Sequence, residues 1–362
     1  MRIFTVAALL VLLAGCGKPK QQNLPSPQVA EARPELFPER IWAACDFELL
    51  RNDVVWSARH EGENVPPYPA NNFAAAAREL APGVSSLSVI FTRYPRAEAG
   101  SKVYFRYYLG GEGQLELRLF NQDRQAWHRL TLTGLARGEW AEAAADFGEV
   151  GDERGGGPLE SGERVSEAAF VLHGDGELLI DDIICFAGGS RADGAREKFP
   201  RRVIALWGFD PVESYHPWTH ADFRVNHKHE SLSRGWGAGE ALDREQRGVK
   251  RIRLIIDPPQ QVGEHSRLRY NCWLENVRRV QPMIFDLTDM DNRHVGLEHQ
   301  PQGEWFTETV DFTADGIRND GNQTPFEAGS RVDDIFYLAW PADEAAEFTL
   351  LVDDVVLYDA YE

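Results

Sequence analysis

From Val103 to Leu109 apolar and polar positions alternate. Val103, Phe105, Tyr107 and Leu109 share one parity, and Tyr104, Arg106 and Tyr108 share the other. Leu115, Leu117 and Leu119 against Glu116 and Arg118 repeat the pattern, as do Leu268, Tyr270, Cys272 and Leu274 against Arg269, Asn271 and Trp273. A period of two is that of a strand with one face in a core and one face outside it. Many such runs with turn residues between them predict an all-β chain of antiparallel sandwiches. Helical signals are weak, Ala74 to Leu80 being the best short candidate. Two runs do not alternate: Leu178-Leu179-Ile180-Asp181-Asp182-Ile183-Ile184-Cys185-Phe186, and Leu350-Leu351-Val352-Asp353-Asp354-Val355-Val356-Leu357-Tyr358. Each reads as a strand buried on both faces, with two carboxylates at its middle that need compensation.

These twin runs close two copies of one unit. Gly138-Glu139-Trp140 returns as Gly303-Glu304-Trp305, and the same spacing carries Asp146-Phe147 onto Asp311-Phe312, Ser101 onto Ser266 and Phe120 onto Phe285. A shared register without gaps is the mark of a tandem repeat. The copies open at Asp46-Phe47-Glu48 and Gly208-Phe209-Asp210. They are expected to occupy residues 41–187 and 202–362, with a Gly- and Arg-rich linker at 188–201.

The amino end changes the picture from a free protein to an anchored one. Met1-Arg2 precedes an apolar run, Ile3 to Leu13, too short to span a bilayer as a mature helix. The run ends in Leu13-Ala14-Gly15-Cys16, which resembles the lipobox of bacterial lipoproteins. That resemblance implies a signal peptide over 1–15 and a lipid on Cys16. Gly17 in place of Asp points to the outer membrane or cell surface. Residues 16–40, carrying five prolines among Gln, Glu and Lys, read as a disordered tether. With 38 Lys and Arg against 57 Asp and Glu, the net charge of −19 opposes nucleic acid or an anionic bilayer as a partner.

An opening Phe-Glu strand, a Gly-Glu-Trp before an Asp-Phe strand, and a closing Ile-Asp-Asp-Ile strand resemble the jelly-roll domains called galactose-binding-like, which include families of carbohydrate-binding modules. The resemblance implies two jelly rolls and non-catalytic binding of carbohydrate. It also implies that the first and last strands of each unit lie side by side. If Glu48 faces Asp182, Cys45 faces Cys185, and a disulfide is expected between them. Glu48 with Asp182, and Asp210 with Asp354, would then be opposed carboxylates. They either hold a structural calcium, as sugar-binding relatives do, or hydrogen-bond loop amides.

Two places offer themselves to a ligand. The non-core parity presents Tyr104, Arg106, Tyr108, Arg118, Trp127 and Arg129 in the first unit, and Arg269, Asn271, Trp273, Met283, Asn292 and His294 in the second. Aromatic rings stack on pyranose faces while Arg and Asn bind hydroxyls, so the mixture suits a saccharide; aromatics at this period also serve packing. The second place is Tyr215 to Glu230, with His216, Trp218, His220, Asp222, Arg224, His227 and His229, either an irregular loop bonded locally or a metal site. No nucleophile elbow, phosphate loop or zinc-protease motif occurs, so an enzyme of polysaccharide processing is the weaker reading. A surface lipoprotein that binds a protein partner is the other alternative to carbohydrate.

Overall fold

The computed structural model describes residues 27–47, 54–56, 60–61, 73–188, 197–209, 223–228, 236–322 and 326–361. The signal peptide, Cys16, Glu48, Asp210, His216 and Trp218 lie outside the described residues. No helix occurs among those described, and none is long and apolar enough to cross a membrane. Strands build four sheets that pack in pairs, giving two antiparallel sandwiches, each around its own apolar core.

In each sandwich one sheet faces the other sandwich, the seam sheet, and one faces away, the outer sheet. The first seam sheet runs Trp140–Asp146, Lys102–Gly110, Glu177–Ala187, Phe73–Ala76 and His60–Glu61, with Arg40–Cys45 also on the closing strand. The second runs Phe223–Asn226, Ala238–Ala241, Thr349–Asp359, Ser266–Glu275 and Trp305–Asp311, with Arg202–Trp207 on its closing strand. Outer sheets are built on Gln114–Asn121, Ala126–Thr133, Val165–His173 and Val84–Phe91, and on Lys250–Gln261, Arg331–Pro341, Val277–Asp286 and Asp291–His294.

The closing strands are buried on both sides because the core covers one face and the seam the other. Phe37, Tyr104, Ile184, Phe186, Phe199, Val356 and Tyr358 form that third apolar cluster. Tyr104 and Phe199 stand with ring centroids 5.0 Å apart, as do Phe37 and Tyr358. Each such side chain contributes about 1.5–3 kcal/mol when fully buried.

The paired aspartates of each closing strand form a β-bulge. Asp182 and Asp354 both take φ 46°, and the ladder register shifts beside each of them. Aspartate enters the left-handed region more readily than most residues because its short side chain bonds the backbone locally. Asp182 N donates to Asp181 Oδ1 at 2.8 Å, and Asp354 N donates to Asp353 Oδ1 at 2.8 Å. Repetition extends to other turns: Phe47 and Phe209, and Gln125 and Met290, share positive φ in pairs.

Three expectations change. Ala74 to Leu80 forms strand, Phe73–Ala76 and then Arg78–Ala81, because sheet pairing overrides the helical leaning of alanine. The tether expected to reach residue 40 packs on the body from residue 28. Gln28 and Val29 pair with Leu132 and Thr133, Phe37 enters the seam, and Arg40 begins a strand. Cys45 pairs with Ile183 and Cys185 with Ala43, so the opening strand is displaced from the expected register and no disulfide joins these buried thiols.

Candidate functional site

Period two distinguishes inside from outside but does not say on which sheet a strand lies. The residues expected to share one ligand face are therefore divided between opposite sides of each sandwich. Tyr104, Arg106 and Tyr108 stand on the seam sheet, whereas Arg118, Trp127 and Arg129 stand on the outer sheet. Arg269, Asn271 and Trp273 belong to the second seam sheet and His294 to the second outer sheet.

On the seam most of them hold the protein together. Tyr104 is fully buried, and burial pushes its phenol far up. Arg106 Nη1 donates to Asp182 Oδ2 at 2.7 Å, and Asn271 Nδ2 donates to Asp354 Oδ2 at 2.9 Å while Asn271 Oδ1 accepts from Thr307 at 2.8 Å. Arg269 pairs with Glu197 at 2.7 Å and lies over the Phe37 ring. Tyr108 and Trp273 are half-buried beside Trp140 and Trp305 respectively.

The charge expected to draw calcium is met by guanidinium groups, Arg106 of the same sheet for Asp182 and Arg40 from across the seam for Asp354. Arg40, with its side chain 2% exposed, reaches Asp354 at 3.2 Å and Glu98 at 2.6 Å. Arg202, its counterpart in the second sandwich, lies 3.7 Å from Asp46 and 3.2 Å from Asp359. Burial pushes the Asp182 carboxyl up, Arg106 opposes this, and the Asp46 carboxylate adds to it. Among the described residues no group of three or more His, Cys, Asp or Glu could hold a metal ion. A cation beside these arginines would meet like charge, so Asp182 and Asp354 do not fit a calcium site.

The outer sheets remain. On the first, charges pair with one another, although Arg129 Nε keeps no hydrogen-bond partner: Arg118 binds Glu116 at 2.8 and 3.1 Å, His173 Nε2 lies 3.0 Å from Glu116, and Arg129 pairs with Glu153. Burial alone would raise the Glu116 carboxyl, but Arg118 and His173 hold it below its ordinary range. Trp127 packs its ring 5.0 Å from Phe120.

The second outer sheet differs in kind. Arg253, Phe336, Met283 and His294 are directly opposed on four successive strands. Arg251, Leu338 and Gln281 form the next row, and Trp340 opposes Arg279 in the one after. All are half-buried, a row of rings and a thioether framed by polar side chains. Arg279 Nη2 donates to Gln281 Oε1 at 2.6 Å, and its guanidinium lies 5.3 Å from the Trp340 ring centre. Arg253 grips Asp334 with bonds of 2.9 and 2.6 Å.

Three polar atoms of this face, Arg279 Nε, His294 Nδ1 and Asn292 Oδ1, are buried without a hydrogen-bond partner. Buried polar atoms are normally satisfied, so these three leave hydrogen-bonding capacity that a ligand or water can take up. Burial and the charge of Arg279 hold the His294 imidazole below its ordinary range, leaving it neutral near pH 7, able to donate and to accept.

Trp340 and Leu338 also wall a cleft of about 250 Å³ completed by Leu242, Arg244, Arg247 and Arg251. Asp243 fixes its loop by accepting from the backbone amides of Arg247 and Gly248 at 3.0 and 2.8 Å. A larger cleft of about 350 Å³ in the first sandwich is lined by Glu79, Asp175, Glu177 and several glycines, with no aromatic ring.

Of the expected ligand residues Met283, Asn292 and His294 stand at this face. Trp340, Phe336, Arg279, Gln281 and Arg253 were not among them. One signal was available: in Ile335-Phe336-Tyr337-Leu338-Ala339-Trp340 the outward parity is as apolar as the inward one.

No family model and no curated protein matches the sequence. Among solved structures the chain is similar to the CBM22-1–CBM22-2 tandem domain of Paenibacillus barcinonensis Xyn10C, at 11% identity and a TM-score of 0.31, covering 92% of this chain and 100% of that one. It is similar to carbohydrate-binding modules of the β-sandwich superfamily at 12% identity and a TM-score of 0.27, over 84% of this chain and 99% of that one. The module TmCBM61, solved with β-1,4-galactotriose, matches at 14% identity and a TM-score of 0.26, over 38% of this chain and 82% of that one.

Proposed function

We propose that this protein is a non-catalytic carbohydrate-binding lipoprotein of the bacterial envelope, and that the outer sheet of its second sandwich is the saccharide platform. The observation that carries the reading is the pairing of half-buried rings with orphaned polar atoms on one open face. Pyranose rings have apolar C–H faces and polar rims, so Phe336 and Trp340 would take the former while Gln281, Asn292 and His294 take hydroxyls. Four strands at the usual interstrand spacing give a row about 14 Å long, open at the sides, which suits a chain laid across it. The anchor rests on the Leu13-Ala14-Gly15-Cys16 run. In a bacterial host Cys16→Ser is expected to move the protein from the membrane to the soluble fraction; membrane retention would remove that part of the reading.

Affinity electrophoresis through gels containing plant and bacterial polysaccharides tests the platform. At least one polymer is expected to retard the wild type, and Trp340→Ala to weaken that binding about thirtyfold, the effect of losing about 2 kcal/mol at an interface tryptophan. Retardation unchanged by Trp340→Ala, or no polymer that retards the wild type, would overturn the reading.

A further inference from the structure

The charges on this face favour one class of sugar. The chain carries 19 more negative than positive charges, yet Arg244, Arg247, Arg251, Arg253 and Arg279 gather on this sheet and its cleft. Asp334 is gripped by Arg253, Glu245 is shared by Arg247 at 3.0 Å and Arg251 at 3.3 Å, and Asp243 is bound to backbone amides. That leaves Arg244 and Arg279 as the guanidinium groups of this face that no acid holds among the described residues.

Arg279 stands apart. It is half-buried against Trp340, its one hydrogen bond goes to the neutral oxygen of Gln281, and its buried Nε has no acceptor. Glu298 is opposite it in the strand register but exposed, and makes no ion pair with it. A guanidinium taken partly out of water loses hydration that only an anion or several acceptors can replace. Its planar fork matches a carboxylate with two parallel N–H bonds, whereas a hydroxyl can accept only part of that set.

We infer that the saccharide bound at this face carries carboxylates: a ring stacked on Trp340 presents a uronate to Arg279, with Arg244 of the adjoining cleft meeting the next acidic residue of the polymer. This rests on the platform reading above and specifies its ligand class. The first sandwich has Gln114 at the position of Arg279, and its cleft carries Glu79, Asp175 and Glu177. Its outer face would not favour the same polymer.

The test uses the full chain with polygalacturonate and alginate, each beside its carboxyl-reduced form, and a neutral β-glucan and β-galactan. The wild type is expected to bind at least one uronate polymer tenfold or more tightly than the reduced form. Arg279→Gln, whose folding is checked by an unchanged melting temperature, is expected to lose about tenfold on the uronate polymer and nothing on its reduced form. Trp340→Ala should lose both. If reduced and parent polymers bind alike, if Arg279→Gln has no effect, or if only the neutral polymers bind through Trp340, the uronate assignment is wrong and the platform stands. If no polymer of either kind binds, both fail.

Discussion

Arg40 and Arg202 begin the two opening strands, and each sends its guanidinium across the seam to a carboxylate of the other sandwich. Such reciprocity is what a pseudo-twofold contact between duplicated units produces. A buried ion pair adds little stability over an apolar pair of the same shape, but removing one partner strands the other charge in a dry environment. Arg40→Met should therefore destabilise the protein by about 3–5 kcal/mol in urea unfolding, and Asp354→Asn in the same chain, which removes the stranded charge while keeping a side chain that tolerates the left-handed bulge and accepts from Asn271, should restore much of that loss. A cost for Arg40→Met below about 1 kcal/mol would show that solvent reaches Asp354 and that the seam is looser than described. His294 and Arg279 carry the functional reading, because Nδ1 of the one and Nε of the other are left without a hydrogen-bond partner beside an open aromatic row.

At the scale of the strand, alternation was enough to predict sandwich strands and the duplication, because both follow from side-chain direction along one strand. The sheet to which each strand belongs was not legible. Leu109 and Leu115 face the same core from opposite sheets, so Tyr108 and Arg118 point away from each other although both are outward. Register was not legible either. The opening strand ends at Cys45, and Asp182 sits in a left-handed bulge, so a register projected through Glu48 and Asp182 placed the cysteines opposite one another when they are not. The bulges also explain why two aspartates interrupt each apolar run. One bonds the turn, and the other reaches a partner on the neighbouring strand, Arg106 for Asp182 and Asn271 for Asp354.

For the whole molecule, the seam decides which surfaces are left for binding. It consumes Tyr104, Arg106, Arg269 and Asn271, and leaves outer sheets whose sequences have diverged. The copy with Ala169 and His173 closes its face with ion pairs, while the copy with Phe336 and Trp340 keeps an aromatic row beside a basic cleft. Hydrogen–deuterium exchange of the full chain, with and without a polysaccharide that retards it, tests this directly. Slowed exchange is expected in Val277–Asp286, Asp291–His294, Arg331–Pro341 and the loop at 242–249 and nowhere else. Protection of the first outer sheet, with these strands unchanged, would contradict it.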